Sequence, residues 1–222
     1  MRVSAQILVF LELLYTKFQY DIVIFFEIPE LKAMQFKINT DIPGQMTKNE
    51  LSAISYLAST VPDSGIIVEA GSLFGLSSWH WSNNSAPSYS IFCIDPWERV
   101  KWIVDLVEKP QGTKQFSRAA FEDYTADCKN IIAIQGYSPI ILRNWKLPIN
   151  IYFDDAIHQN PVLHQNLQFW SSFIVPGGYV CGHDYSNEWP DVIHEANLIS
   201  QSWNTKVHVV ETVWWVQRPA RE

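Results

Sequence analysis

The chain has 222 residues, of which 47% are hydrophobic and 18% are charged, and its formal net charge is −7. This length and apolar content suffice for one substantial core, so we expect one main domain rather than two. The acidic balance and the lack of a lysine or arginine cluster in the sequence argue against nucleic-acid binding, which needs a basic face. Three cysteines without a C-x-x-C pair indicate neither a zinc knuckle nor a disulfide framework, so a reducing cytoplasm is the default location.

Residues 1–35 form an apolar N-terminal segment, which we separate from a domain over 36–222. The apolar run from Ala5 to Tyr15 is interrupted by Glu12 and is shorter than the roughly 20 residues that span a bilayer. Three roles fit it: a packing or dimer-forming helical segment, a membrane-associated anchor, or a targeting segment. We favour the first, which predicts a homo-oligomer and no membrane insertion.

The next predicted element follows a turn at Pro43-Gly44. The segment Thr47-Lys48-Asn49-Glu50 has the pattern of a capping box, in which the threonine and the glutamate satisfy each other's backbone amides. A helix over 48–60 should follow, because its apolar residues recur on one face. We expect this helix to cover the edge of a ligand site.

From residue 66 onward, predicted strands alternate with predicted helices, which indicates a parallel sheet wrapped on both faces. The predicted strands are residues 66–70, 90–95, 131–136, 149–154, 178–183, 207–211 and 213–217. The predicted helices are residues 77–83, 114–129, 139–145, 161–173 and 189–202. The fold class is therefore α/β, a Rossmann-like, seven-stranded, mostly parallel sheet with helices on both faces and a C-terminal antiparallel hairpin. Ligands of such sheets bind at the carboxyl ends of the strands.

The first predicted strand leads into Glu69-Ala70-Gly71-Ser72-Leu73-Phe74-Gly75. Glycine lets bare backbone and a helix N-terminus approach a ligand. A dinucleotide fingerprint needs G-x-G-x-x-G, which is absent here. An acid before the first glycine disfavours a diphosphate and suits a cationic ligand. The alternative is a strand-to-helix turn with incidental glycines.

The second predicted strand ends at Asp95, where a carboxylate can accept hydrogen bonds from both ribose hydroxyls of an adenosine. The alternative is a turn or capping aspartate before Pro96. Trp97 follows at once, and its indole can either stack on adenine or pack in the core.

Acidic residues and histidines gather at the ends of the fourth and fifth predicted strands. Asp154 ends the fourth, with Asp155 and His158 just after it, and His183 ends the fifth, with Asp184 just after it. If these strands are neighbours, the side chains converge on one crevice. Such a cluster can hold a divalent ion such as Mg²⁺ or Mn²⁺. A free histidine there can instead take a proton from a hydroxyl near neutral pH.

Six segments in chain order carry a resemblance to a known family: Pro43-Gly44-Gln45-Met46-Thr47, Val68-Glu69-Ala70-Gly71, Ile94-Asp95-Pro96-Trp97, Asp155-x-x-His158, Pro176-Gly177-Gly178 and Gly182-His183-Asp184-Tyr185. Residues 42–189 resemble class I S-adenosylmethionine-dependent methyltransferases. Within that class they resemble the bacterial family that includes macrolide and aminocoumarin sugar O-methyltransferases, and more distantly catechol O-methyltransferase. The resemblance implies O-methylation of a small-molecule acceptor.

The resemblance also implies site residues. The implied cofactor-binding residues are Glu69, Gly71, Gly75, Ser77, Asp95, Trp97, Ser138 and Asp155. The implied general base is His158, and the implied metal ligands are Asp155, His183 and Asp184. Metal-dependent relatives usually carry a carboxylate where this chain has His183. Two mechanisms follow, one in which a metal lowers the pKa of the acceptor hydroxyl, assisted by Asp155 and His158, and one in which His158 acts alone.

Two other functions remain open at this stage. One is a nicotinamide-dinucleotide-dependent oxidoreductase, against which the G-x-x-x-G spacing argues. The other is a non-catalytic cofactor-binding or interaction protein, which the apolar N-terminal segment would favour if it mainly drives assembly.

Overall fold

The computed structural model of the chain describes residues 35–220. The predicted N-terminal segment lies outside the described residues apart from Gln35, so its role and its boundary with the domain stay predictions. Within the described part of the chain, no helix combines the length and apolar character that crossing a membrane requires.

Within residues 35–220, seven strands form one sheet. They are β1 (Ile66–Ala70), β2 (Ser90–Asp95), β3 (Ile131–Gln135), β4 (Ile149–Asp154), β5 (Ile174–Gly182), β6 (Val207–Val210) and β7 (Val213–Gln217). Their order is β3-β2-β1-β4-β5-β7-β6. The strands from β3 to β5 in this order are parallel, and β7 runs antiparallel to both β5 and β6. The predicted fold class is confirmed.

The helices are α1 (Lys48–Thr60), α2 (Leu76–Asn84), α3 (Lys101–Ile103, Val104–Glu108 and Lys109–Gln111, the middle part π-helical), α4 (Arg118–Tyr124), α5 (Val162–Ser171) and α6 (Pro190–Ser202). The predicted capping box of α1 is confirmed. The amide of Glu50 donates to Thr47 Oγ1 at 3.2 Å, and the amide of Thr47 donates to Glu50 Oε2 at 2.8 Å.

Two hydrophobic layers cover the two faces of the sheet. Alternate residues of each central strand face opposite layers, as strand geometry requires. Ile67 and Phe153 pack with α1, α2, α3 and α4, whereas Val68 and Tyr152 pack with α5 and α6 around the fully buried Trp170. Because both faces are buried, the central strands are nearly continuous runs of apolar residues.

Helix lengths between β2 and β4 differ from the prediction. The helix predicted over 114–129 is the shorter α4, because Ser117 caps its start by accepting from the amide of Ala120 at 3.2 Å, and Thr125 already leaves the helical conformation. The helix predicted over 139–145 is a single 3₁₀ turn, Ile140–Leu142.

No prediction covers α3. Its π-helical part shifts the spacing of its apolar residues away from the α-helical period, and it contains Pro110 close to its end. It stops at Gly112, which has φ +60. The carboxylate of Glu108 holds the segment through Arg99 at 2.8 Å and the amide of Phe116 at 2.8 Å.

The strand boundaries differ by a few residues. β5 begins at Ile174, four residues before the predicted start, since the amide of Gly177 donates to the carbonyl of Arg218 at 2.8 Å and extends the pairing. β6 ends at Val210, because Glu211 has φ +54 and belongs to the turn.

The carboxyl ends of the central strands meet at one edge, the carboxyl edge. β1 and β4 are neighbours from which the chain proceeds in opposite directions, and such reversal points form ligand crevices. Hydrogen bonds continue past the strands, from the amide of Gly71 to Ile94 O at 2.9 Å and from the amide of Asp155 to Ala70 O at 2.8 Å. The ends of β1, β2 and β4 and the segments that follow them therefore lie side by side.

We expect Gly71→Ala to lower the free energy of unfolding by about 2 to 4 kcal/mol. Gly71 has φ +88, and a Cβ there would lie 2.1 Å from the backbone oxygen of Asp155, so the substitution adds both strain and a backbone clash. Gly112→Ala is the matched control, since Gly112 also has a positive φ but open space within 4 Å of its Cβ position. It should cost about 1 kcal/mol. Urea unfolding measures both, and equal losses would contradict the importance of the close contact.

Candidate active site at the carboxyl edge

The loop after β1 is held by the end of β2. The amide of Leu73 donates to Asp95 Oδ2 at 3.0 Å, and the carbonyl of Leu73 accepts from the indole of Trp97 at 2.9 Å. Asp95 Oδ1 accepts from the amide of Trp97 at 2.6 Å. Leu73 itself has φ +47, between the positive φ values of Gly71 and Gly75. Asp95, the last residue of β2, and Trp97, just after it, therefore fix the shape of residues 71–75, which we call the glycine loop.

The ring of Trp97 lies in the core. It is 5% exposed and packs on Phe121, with 4.9 Å between ring centroids. Of its two predicted roles, the structure favours packing over stacking on adenine, because the ring already has a buried neighbour and its N–H is used by the loop.

Glu69 and Ser77 lie beneath the loop. The carboxylate of Glu69 is fully buried and accepts from the hydroxyl of Ser78 and from the indole of Trp81 at 3.2 Å. Burial raises the pKa of Glu69, and the hydroxyls of Ser77 and Ser78 partly offset this. Both predicted residues thus support the loop from inside, and their direct contact with a cofactor stays a prediction.

Ser138 lies after β3, on the α5 side of the sheet. Its hydroxyl accepts from the indole of Trp170 at 2.9 Å. Its predicted contact with adenine stays a prediction.

The residues that follow β4 and β5 form the histidine cluster, which we define as Asp155, His158, His183 and Asp184. Asp184 Oδ2 lies 3.2 Å from His158 Nε2 and 3.1 Å from His183 Nδ1. Asp155 Oδ1 lies 3.8 Å from His183 Nδ1. The ring of His158 also packs against Trp189, with 4.9 Å between centroids. The structure therefore brings together four of the five residues that the sequence singled out for chemistry. The carboxylate of the fifth, Asp154, is buried and accepts from the hydroxyl of Tyr152.

Two members of the site have no signal in the sequence. Glu50 Oε1 lies 3.3 Å from His183 Nε2, and the hydroxyl of Thr212 lies 3.0 Å from the same nitrogen. The pattern around Glu50 indicates only a capping box. Its second role depends on α1 and the β6–β7 turn meeting at the end of β5, which tertiary packing decides.

The two histidines differ in charge. Burial disfavours the charged form of His183, but the carboxylates of Asp155, Asp184 and Glu50 outweigh it and raise the pKa of His183 well above its usual range. Burial lowers the pKa of His158, and Asp184 offsets this only in part. These shifts favour a charged His183 and a neutral His158 at neutral pH, although the two rings lie 3.1 and 3.2 Å from the same oxygen of Asp184.

Of the three predicted metal ligands, His183 is poorly placed to hold Mg²⁺ or Mn²⁺. Both ring nitrogens of His183 face carboxylates, which favours a proton on each, whereas a metal needs a deprotonated nitrogen. The ligand atoms that lie within 4.8 Å of one another belong instead to Asp155, His158 and Asp184. Because Mg²⁺ is commonly held by one or two carboxylates and several waters, an ion at Asp155 and Asp184 stays a prediction. The geometry argues against His183 as a ligand, and an ion held by His158 would remove it as a base.

The carboxylates at this edge fit a cationic ligand with hydroxyl donors. Within residues 35–220, Asp155 and Asp184 form ion pairs only with histidines. Burial raises the pKa of Asp95 to about 6 and raises that of Asp155 above its usual range, so the charged forms of both carboxyl groups would be stabilised by a bound cation or by hydroxyl donors. The amino group and sulfonium of S-adenosylmethionine would supply positive charge, and its ribose would supply hydroxyl donors. The chemistry of the side chains therefore fits this cofactor.

Residues 68–185 match the model of a methyltransferase-domain family. The matched range covers more than half of the chain and includes the glycine loop and the whole histidine cluster. The chain belongs to this methyltransferase family. It is a class I S-adenosylmethionine-dependent methyltransferase. The predicted family and enzyme class are confirmed, and the two alternatives, a nicotinamide-dependent oxidoreductase and a non-catalytic protein, are not supported. No curated protein sequence matches the chain.

Solved structures of methyltransferases share the fold at low sequence identity. The O-methyltransferase NovP is 13% identical with a TM-score of 0.56, over 77% of this chain and 80% of that one. An O-methyltransferase from Bacillus cereus in complex with SAH is 14% identical with a TM-score of 0.55, over 79% and 83%. CalS11, a TDP-rhamnose 3′-O-methyltransferase, is 12% identical with a TM-score of 0.52, over 75% and 76%.

We expect Trp97→Phe to weaken cofactor binding by this methyltransferase. The substitution keeps an aromatic ring but removes the hydrogen bond to Leu73 O, so Leu73 loses one of the two side-chain hydrogen bonds that hold its backbone. The Kd for S-adenosylhomocysteine should rise by about 3- to 10-fold, the value of one net hydrogen bond. Calorimetric titration measures it. Trp102→Phe, in which the side chain is 53% exposed on α3, is the control and should leave the Kd unchanged; the same Kd for both variants would contradict the assigned role.

Proposed function

We propose that this methyltransferase transfers a methyl group to a hydroxyl oxygen of a small molecule, with His158 as the general base. The observation that carries the proposal is the contact of 3.2 Å between His158 Nε2 and Asp184 Oδ2 at the carboxyl edge. A carboxylate beside one ring nitrogen favours a proton on that nitrogen and leaves the other nitrogen able to accept a proton. Within residues 35–220, His158 Nδ1 makes no hydrogen bond, so it is the accepting atom in this proposal.

The lowered pKa of His158 supports this role. A base must be unprotonated before the reaction, and burial keeps the imidazole neutral at neutral pH. After it accepts the proton of the acceptor hydroxyl, the ring is a cation beside the carboxylate of Asp184. That carboxylate stabilises the product state without accepting the proton itself.

The cofactor, when bound, supplies a methyl group on a positively charged sulfur, which an aligned oxygen can displace. The protein must then align the acceptor, exclude water and accept one proton. We assign the alignment of the cofactor to the glycine loop and Asp95. We assign the proton to His158, and to Asp155 a supporting negative charge near the sulfonium.

A neutral sugar or phenol is the acceptor class that we propose. The carboxylates of Asp155 and Asp184 would repel an anionic acceptor. Ile157, which is 49% exposed beside His158, offers an apolar surface to the carbon skeleton of such a molecule. By its name CalS11 methylates a sugar hydroxyl, the 3′ oxygen of TDP-rhamnose, which supports a sugar as the acceptor, although the TDP group makes that substrate anionic. A homo-oligomeric assembly, a cytoplasmic location and the absence of a nucleic-acid partner stay predictions from the sequence.

We expect His158→Ala to reduce the turnover number by about 10²- to 10⁴-fold, the usual contribution of a general base. The Kd for S-adenosylhomocysteine should stay the same, because the proposal gives His158 no part in holding the cofactor. Transfer of a labelled methyl group to a panel of sugars and phenols measures the turnover number, and calorimetry measures the Kd. His194→Ala, at an exposed position of α6, is the control. Equal losses of turnover and affinity would mean that His158 is structural.

We expect that removal of divalent ions with EDTA changes turnover by less than about twofold. A metal that polarises the acceptor contributes several kcal/mol, so a metal-dependent enzyme would lose activity by at least about 10²-fold. The assay compares EDTA-treated protein with the same protein after addition of Mg²⁺ or Mn²⁺. A large loss that either ion restores would contradict the metal-free mechanism and would favour an ion at Asp155, His158 and Asp184.

A further inference from the structure

Glu50 joins three parts of the fold through one buried carboxylate. It is 3% exposed, and its Oε2 accepts from the amide of Thr47 at the start of α1. Its Oε1 accepts from the amide and the hydroxyl of Thr212, at 3.1 and 2.6 Å, in the β6–β7 turn. The same Oε1 lies 3.3 Å from His183 Nε2, after β5. The carboxylate has more partners than a helix cap needs.

His183 is held between two sets of carboxylates. Its Nε2 faces Glu50, and its Nδ1 lies 3.1 Å from Asp184 Oδ2 and 3.8 Å from Asp155 Oδ1. Because each nitrogen faces an acceptor, each carries a hydrogen, and the ring is a cation. The hydroxyl of Thr212 donates to Glu50, so it is free to accept from His183 Nε2. All the contacts are consistent with this one arrangement of hydrogens.

A continuous line of contacts therefore runs from Glu50 to the proposed base. The successive separations are 3.3 Å from Glu50 to His183, 3.1 Å from His183 to Asp184, and 3.2 Å from Asp184 to His158. The side chains of His183 and Glu50 are 10% and 3% exposed, so water screens the first link weakly.

We propose that Glu50 is a positioning residue for methyl transfer, which acts on His158 through His183 and Asp184. The proposal rests on the proposed role of His158 as the base. Asp155 and Asp184 need a positive charge between them, and the imidazolium of His183 supplies it from within the protein. Glu50 keeps that ring charged and oriented, so that Asp184 presents a fixed oxygen to His158. The charge of His183, which Glu50 stabilises, thus compensates the carboxylates of Asp155 and Asp184, as a divalent cation would otherwise do.

The first experiment separates this role from helix capping. Glutamine is also an accepted third residue of a capping box, so Glu50→Gln keeps the cap and removes the charge. Glu211→Gln is the matched control. Glu211 accepts from the hydroxyl of Thr47 and from Asn49 Nδ2 at 2.7 Å, so it ties the same end of α1 to the same turn without contacting His183.

The readouts are the imidazole signals of the full-length protein by NMR and the kinetics of methyl transfer. In the wild type, His183 should show two protonated ring nitrogens. Glu50→Gln should change the signals of both His183 and His158, and should lower kcat by at least about tenfold while the Kd for S-adenosylhomocysteine changes by less than about threefold. Glu211→Gln should leave all of these unchanged. Unchanged His158 signals in Glu50→Gln would overturn the proposal.

A double-mutant cycle keeps the proposal testable if Glu50→Gln is unstable. If Glu50 acts through His183, then His183→Gln combined with Glu50→Gln should be no slower than His183→Gln alone. Additive losses of kcat would overturn the proposal. If the wild type methylates no acceptor, the proposed function fails, and the NMR signals of His158 still decide whether Glu50 influences it.

Discussion

The site depends on a close contact between two backbone segments. The loop after β1 passes so near the start of the β4 loop that no side chain fits at Gly71, and the amide of Asp155 bonds to the carbonyl of Ala70 at 2.8 Å. This contact fixes the glycine loop relative to the segment that carries Asp155 and His158. A methyl donor and a base must be placed to within fractions of an ångström of each other. The reversal of strand order at β1 and β4 makes this contact possible, because it makes the two strands neighbours.

The second constraint is electrostatic. Several carboxylates meet at the carboxyl edge, and burial makes their charges costly unless a partner compensates them. Different partners compensate the different carboxylates. Glu69 is surrounded by hydroxyls and an indole, Asp95 accepts two backbone amides, and the pair Asp155 and Asp184 shares a histidine. The hydrogen bonds from His183 and Thr212 overcome the effect of burial on Glu50 and lower its pKa to about 2.

Much of the fold follows from the sequence, because apolar runs of five or six residues in a sheet buried on both faces admit few other structures. β1, β2, β4 and β7 have the predicted boundaries, and Thr47 with Glu50 forms the predicted cap. The predicted helices are wrong where the backbone departs from the regular α-helical repeat. In α3 the π-helical part breaks the α-helical spacing, and around Pro139 the chain forms only a 3₁₀ turn.

The site was predictable in position but not in orientation. The pattern places Trp97 and Glu69 at strand ends correctly, yet it cannot show that one ring and one carboxylate turn into the protein. It places His183 beside Asp184, but the contact with Glu50 joins segments that only the folded chain brings together. For this reason the sequence suggested His183 as a metal ligand, whereas its ring nitrogens lie beside carboxylates of the protein; a metal at this edge stays a prediction.

The most direct test of the account is a crystal structure of the protein with S-adenosylhomocysteine. The account predicts that the cofactor lies across the carboxyl ends of β1, β2 and β4, between Asp95 and Asp155, with the imidazole of His158 facing the sulfur side. A cofactor bound elsewhere, or one whose sulfur is separated from His158 by the sheet, would contradict it.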